Sequence, residues 1–243
     1  MIDPRISIIF KRMENIRNVI AVSSGKGGVG KSLIASTLAL ALARKGYEVG
    51  LFDMDFTSPS THIILGIKNV QPKEEKGIIP PEVHGLKYMS IIYYSGDYAS
   101  PLRGADISSA LIELLSITRW GMLDFLIVDM PPGISDATLD LIRLIKNVKF
   151  LIITSPSLLA FETARKLINL LKELKIPVIG VVENMKLNNS KAIQQQVKCL
   201  GMAFLGEIPF DTKIEDAIGN VDLLLETVLA EKVKEMLSNF EIG

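Results

Sequence analysis

The segment 23–32 reads Ser-Ser-Gly-Lys-Gly-Gly-Val-Gly-Lys-Ser, and it constrains the fold more than any other part of the chain. Gly25, Gly30, Lys31 and Ser32 meet the spacing G-x-x-x-x-G-K-S/T, with the apolar run Val19-Ile20-Ala21-Val22 before it and the helical stretch 33–43 after it. Glycines let successive backbone N–H groups turn inward around phosphate oxygens, and the helix start adds partial positive charge. A loop of this kind works only between a strand and a helix, so the chain is expected to fold around a βα unit whose loop holds nucleotide phosphates. Lys31 would neutralise the β- and γ-phosphates and Ser32 would ligate Mg²⁺. The rest of the loop, Gly25, Lys26, Gly27, Gly28, Val29, Gly30 and the following Leu33, would line the nucleotide.

The remainder of the chain fits that expectation. β-type apolar runs at 19–23, 48–53, 86–91, 125–129, 150–154, 177–182 and 203–205 alternate with helical patterns at 31–43, 105–117, 137–146, 158–174 and 191–200. A last helical stretch, 221–238, closes the chain. This alternation predicts an α/β, doubly wound and mostly parallel sheet flanked by helices. Residues 1–17 read as an N-terminal extension outside the sheet, residues 18–243 as one domain, and 66–85 as a mobile surface loop.

Charge and cysteine content narrow the partners. Lysines and arginines total 27, as do aspartates and glutamates, so no global charge recommends nucleic acid or an anionic membrane. The terminal stretch 221–235 has apolar positions suited to packing on the sheet, not the basic amphipathic character of a membrane-surface helix. The single cysteine, Cys199, suits a reducing cytosol and reads as a buried small hydrophobe. A cytoplasmic protein is expected. His62 and His84 lack metal-ligand spacing and read as ordinary loop residues.

Acidic residues fall at predicted strand ends, where ligands of open α/β sheets sit. Phe125-Leu126-Ile127-Val128-Asp129 is a Walker B pattern whose carboxylate would hold Mg²⁺. Phe52-Asp53-Met54-Asp55 ends the second strand with two further carboxylates, Asp53 and Asp55.

The lysine at position 26, five residues before Lys31, points to a class. Gly25-Lys26-Gly27-Gly28-Val29-Gly30-Lys31-Ser32 resembles the deviant Walker A loop of the ATPases that include MinD, ParA, the nitrogenase iron protein and the Mrp/ApbC iron–sulfur carriers. The resemblance implies an Mg-dependent ATPase working as a nucleotide sandwich homodimer, in which Lys26 reaches the partner's phosphates. It also implies that Asp55 positions the attacking water and that Asp53 lies nearer the metal; the opposite assignment stays open.

Across most of 18–211 the likeness is to the Mrp/ApbC branch. Asp53-x-Asp55-x-x-Ser58-Pro59-Ser60 is similar to its D-x-D-x-x-G-P-S switch, with Ser58 in place of glycine. Arg103-Gly104 and the block Trp120-Gly121-x-Leu123-Asp124-Phe125-Leu126-Ile127-Val128-Asp129-Met130-Pro131-Pro132-Gly133 match further motifs, as do 180–185 and 206–211. The resemblance implies that Asn184 hydrogen-bonds adenine, that Pro209 and Asp211 shape the base pocket, and that 133–136 form a second switch. A simpler role for Ser135 or Asp136 is to cap the next helix.

One departure matters. Carriers of this branch that bridge a four-iron, four-sulfur cluster have a C-P-x-C pair shortly after E-N-M, whereas here the chain runs Glu183-Asn184-Met185-Lys186-Leu187-Asn188-Asn189-Ser190. One thiol per chain gives two per dimer, and such clusters ordinarily take four. The expected cofactors are therefore ATP and Mg²⁺, without the C-P-x-C cluster site. The expected function is that of an Mrp-like ATPase linked to iron–sulfur cluster assembly or transfer, with an iron–sulfur protein or another protein as partner. The alternative is a MinD/ParA-like switch that regulates a protein partner without a cluster. A third reading, an ATP-dependent ligase, lacks an identifiable second-substrate motif.

Overall fold

The structure, a computed structural model, describes residues 3–95 and 105–238. Arg103 and Gly104 lie outside them. In chain order the elements are α1 (Pro4–Met13), β1 (Ile16–Ser24), α2 (Lys31–Arg44), β2 (Val49–Asp53), α3 (Thr61–Ile64), β3 (Lys73–Glu74), β4 (Ile78–Ile79), β5 (Glu82–Val83), β6 (Leu86–Ser90) and α4 (Ile92–Ser95). There follow α5 (Ala105–Ile117), β7 (Leu123–Asp129), α6 (Asp136–Leu144), β8 (Val148–Thr154), α7 (Leu158–Glu173), β9 (Val178–Lys186), α8 (Ala192–Cys199), β10 (Phe204–Pro209), α9 (Ile214–Ala217), α10 (Val221–Leu225) and α11 (Val228–Leu237).

Eight strands form one sheet in the order β10-β9-β8-β1-β7-β2-β6-β5, parallel except for the edge pair β5–β6. The central strands carry unbroken apolar runs at 19–22, 125–128 and 150–153 because both faces are covered there. Val19, Ala21, Leu126, Val128, Phe150 and Ile152 point into one core layer, which includes Ile9 of α1, Leu111 of α5, Leu141 of α6 and Leu167 of α7. Their neighbours Ile20, Val22, Phe125, Ile127, Leu151 and Ile153 point into the other, which includes Ile34 and Leu38 of α2 and Leu229 and Val233 of α11. The period of two within each strand thus divides one apolar run between two helical layers. The doubly wound, mostly parallel architecture read from the sequence is the one observed.

Several local expectations need correction. β1 begins at Ile16, so the last residues of the segment 1–17 lie in the sheet, and α1 packs its buried Ile9 and Met13 into the core. The segment 66–85 is more ordered than a plain loop: β3 and β4 pair antiparallel, Ile78 is buried, and its carbonyl accepts from the Arg119 N–H at 2.7 Å. The terminal helix is two helices. Thr227 separates them, its hydroxyl accepting from the Ala230 N–H at 3.2 Å as an N-cap. Leu224, Leu229, Val233 and Leu237 are buried there, so the core-packing reading of the stretch holds.

Cys199 is exposed, not buried. Ile193 and Val197, four residues apart, occupy the core-facing side of α8, and a residue two positions beyond Val197 falls off that side. His62 sits in helix α3, and His84 occupies a positive-φ turn with its Nε2 2.9 Å from the Leu65 carbonyl oxygen.

Candidate nucleotide site

The site forms where β1 ends. The loop after Ser24 leads into α2, whose first residue is Lys31 and whose N-cap is Gly30 at φ +80°. A side chain at Gly30 would be strained by that φ, and its Cβ would stand 2.3 Å from Asn184 Nδ2. Gly25 is constrained differently: a Cβ there would lie 2.2 Å from the backbone of Thr163 and Ala164 in α7. The loop therefore owes two of its glycines to close packing against β9 and α7 as well as to its own curvature.

Lys31 is buried, and its Nζ donates to Asp129 Oδ1 at 2.6 Å and to Ser32 Oγ at 3.1 Å. The ammonium thus stands between the two groups expected to face a divalent cation. Asp129 Oδ2 is buried and has no hydrogen-bond partner among the described residues, an acceptor with capacity to spare. Burial pushes the Asp129 carboxyl up to about 6, against the pull of Lys31, and the nearby Asp53 charge adds to the rise. Ser32 and Asp129 together fit a magnesium ion.

Asp53 is the register partner of Asp129 across the β2–β7 pair and is fully buried. Its bonds, however, face the following loop. Oδ1 accepts from the Asp55 N–H at 3.1 Å; Oδ2 accepts from Thr61 Oγ1 at 2.7 Å and from the N–H groups of Thr61 and Ser60 at 3.1 and 3.2 Å. Burial still raises its carboxyl above the usual range, outweighing the bonds from Thr61 and Asp55 and the charge of Lys31. Asp53 is here a brace for the 55–61 segment. Thr61, which the sequence reading missed, completes that brace; a Ser-Pro-Ser-Thr run opening a short helix was its only signal.

Asp55, also buried, accepts from Thr57 Oγ1 at 2.9 Å and from the Ser58 N–H at 3.1 Å, both on Oδ1. Ser58, the departure from glycine, thus enters the turn through its backbone. Lys26 is exposed, and among the described residues no carboxylate lies within ion-pair distance of it. Gly133, at φ +81°, donates its N–H to the Ser24 carbonyl at 2.8 Å, tying the Pro-Pro-Gly loop to the end of β1. Ser135 is the N-cap residue of α6, as the simpler reading allowed, but makes no side-chain cap bond.

Leu33, Asn184, Pro209 and Asp211 converge on a cavity of about 280 Å³ beside the loop. Met185, Phe210, Ile214 and Glu215 also line it and were not foreseen. Met185 has φ +59°, an unusual backbone for a non-glycine residue, and this marks where β9 bends around the cavity. Asn184 Nδ2 donates to the Val29 carbonyl at 2.9 Å, so its amide is fixed by the phosphate loop.

Beyond Met185 the chain is locked by charge. Buried Lys186 donates to Glu183 Oε2 at 3.0 Å, to Glu207 Oε2 at 2.8 Å and to the Ser190 carbonyl. Its pKa is raised: burial alone would lower it, and the bonds to Glu207 and Glu183 outweigh that. Residues 186–190 carry no thiol and do not fit a thiolate-held cluster.

A glycine loop, a buried lysine and a strand-end aspartate at the carboxyl edge of a parallel sheet define a P-loop NTPase. The chain belongs to the ParA family, described as NUBPL iron-transfer P-loop NTPase, whose model matches residues 15–241. It is 43% identical over 177 residues to an iron–sulfur cluster carrier protein of Pseudomonas fragi, a match covering 71% of this chain and 62% of that protein. The chain thus spans about three-fifths of that relative's length. Among solved structures it is similar to a nucleotide-binding protein from Archaeoglobus fulgidus in complex with ADP, with TM-score 0.77, 29% identity and coverage of 91% of this chain and 93% of that one. It also shares the fold of the septum site-determining protein MinD from Pyrococcus horikoshii, with TM-score 0.66, 20% identity and coverage of 92% and 96%. Among the described residues, no helix is long and apolar enough to cross a membrane.

Proposed function

We propose that this protein is a cytoplasmic Mrp-like ATPase that binds ATP with Mg²⁺, hydrolyses it to ADP and phosphate as a nucleotide sandwich homodimer, and serves iron–sulfur cluster assembly or transfer. The observation that carries the reading is the placement of Lys31 Nζ between Asp129 Oδ1 and Ser32 Oγ at the start of α2. In that reading the loop N–H groups and Lys31 bind the phosphates, and Asn184, Pro209, Asp211 and Leu33 hold the base. Ser32 and Asp129 would hold Mg²⁺, which supplies charge neutralisation on the phosphate oxygens. Asp55, fixed through Oδ1, orients the water that attacks the γ-phosphorus as the bond to the β-phosphate oxygen breaks. Lys26, exposed, crosses to the partner's nucleotide and stabilises the charge of that transition state.

The cluster would be cargo held with a partner, because residues 186–190 offer no thiolate ligands. That same observation favours a second reading, a MinD/ParA-like switch whose ATP-driven dimer regulates a protein partner. One measurement tests what the two readings share, and a second bears on the difference between them. Calorimetry with ATP and ADP, with and without Mg²⁺, tests the nucleotide site; absence of binding would sink both. Anaerobic reconstitution with iron and sulfide, on wild type and Cys199→Ser, then tests the cargo. A Cys199-dependent cluster keeps the carrier reading for the chain alone. No cluster under any nucleotide condition moves the cargo to another subunit or favours the switch.

A further inference from the structure

A second cavity, of about 810 Å³, shares no lining residue with the one beside Asn184. Its apolar lining comes from Ile67, Val70, Ile92, Ile218 and Tyr93, with Asn69 and Gln71 adding polar groups; Tyr93 meets the fully buried Tyr88 ring edge to face, with centroids 5.9 Å apart. Lys68, an exposed lysine, also lines it; among the described residues, no aspartate or glutamate does. Its volume falls within the roughly 300–1,000 Å³ of small-molecule sites. Aromatic and aliphatic groups beside a cation, with no carboxylate among the described lining residues, suit a ligand that pairs an apolar body with negative charge.

The walls of this cavity lead to the nucleotide site by two routes. His62 and Ile63 of α3 line it, and Thr61 just before them donates Oγ1 to Asp53 Oδ2 at 2.7 Å. The hydroxyl of Tyr88 lies 2.9 Å from that same Oγ1. The second route runs through α9: Ile218 and Gly219 line the large cavity, while Ile214 and Glu215 line the smaller one beside Asn184. The two walls touch each other. The Gly219 N–H donates to the Ile64 carbonyl at 3.0 Å, and a Cβ on Gly66 would stand 2.3 Å from the Gly219 oxygen.

We infer that this cavity is an effector site for an organic anion with an aromatic or branched apolar body, and that its occupancy changes nucleotide affinity through α3 and α9. The coupling rests on the nucleotide reading above; the cavity does not. A ligand that presses on α3 acts on the brace that orders the Asp53–Thr61 segment, and one that presses on residues 218–219 acts on the base cavity. Linkage makes the effect reciprocal, so nucleotide and effector must change each other's affinity by one factor.

The test uses 8-anilinonaphthalene-1-sulfonate, an aromatic sulfonate whose fluorescence rises on leaving water, titrated into the full chain, with ADP affinity measured by calorimetry in parallel. The expected result is one saturable dye site, weakened about tenfold or more in Lys68→Glu/Val70→Asp, a surface double variant whose fold is checked by circular dichroism. Saturating dye should change the ADP dissociation constant of wild type by about fivefold or more and leave that of the double variant unchanged. Dye binding unaffected by the double substitution, or abolished in simple competition by ADP, overturns the cavity assignment. Dye binding that follows the substitution but leaves ADP affinity unmoved overturns the coupling. A chain that binds no ADP at all instead defeats the nucleotide reading, and the dye titration still decides the cavity.

Discussion

Lys31 Nζ lies 2.6 Å from Asp129 Oδ1, with both side chains buried. The loop lysine and the strand-end aspartate, 98 residues apart in the chain, form one ion pair that neutralises the site from within. Breaking such a pair by removing one partner leaves a buried charge uncompensated.

Lys31→Ala is therefore expected to do two things. Tight nucleotide binding is lost, and the ligand-free protein is destabilised by about 3–5 kcal/mol, the usual result of orphaning one member of a buried pair. Urea denaturation and ADP calorimetry on the same preparation read both. A variant as stable as wild type would show that the pair does not hold in solution.

The Asp129 carboxyl, pushed up to about 6 by burial, gives a pH dependence of definite sign. Its native value lies above that of the unfolded chain, so between about pH 4 and 6 the native state binds more protons. Stability from this group is then present at low pH and is lost as pH rises through about 6. Asp53, raised by burial as well, acts in the same direction. Denaturation of ligand-free wild type and Asp129→Asn at pH 5 and pH 7.5 should show wild type losing more stability on going up. Parallel profiles would contradict the shift.

Lys26→Ala and Asp55→Ala separate binding from turnover. Lys26 touches no carboxylate among the described residues, so its removal should leave ADP binding by the monomer within about twofold and the fold intact. If it acts in trans like an arginine finger, ATP turnover falls by about 10³ or more, with loss of the ATP-dependent dimer on gel filtration. Unchanged turnover and oligomer size end the trans-lysine proposal. Asp55→Ala should instead hold the ATP-bound dimer while hydrolysis stops; undiminished phosphate release refutes its role.

Thr61→Val removes the hydroxyl that bonds both Asp53 Oδ2 and the Tyr88 hydroxyl. Leaving those buried groups without it costs about 1–3 kcal/mol. Thermal denaturation checks the loss, and a change below about 0.5 kcal/mol would mean that Asp53 is held by its backbone donors alone.

The chain's own pattern determined the P-loop, the strand-end carboxylates and the parallel sheet, because each depends on local rules: glycine where backbone must face phosphate, period two within buried strands, and helix after loop. The family resemblance brought Asn184, Pro209 and Asp211 together in expectation, and the fold places them around one cavity that Leu33, expected only with the phosphate loop, also lines. What local rules could not reach was set by contacts between distant segments. Asp53 and Asp129 look alike as strand ends, yet only packing shows that one is taken up by Thr61 and Ser60 while the other faces Lys31. Cys199 belongs to an amphipathic run, and the exposure of its side of α8 follows from where Ile193 and Val197 meet the core. Gly25 and Gly30 fit a loop motif, but their necessity comes from α7 and Asn184 pressing against them. Sequence fixes what each residue is able to do locally; the neighbour that uses it is chosen when strands and helices far apart in the chain compete for the same buried space.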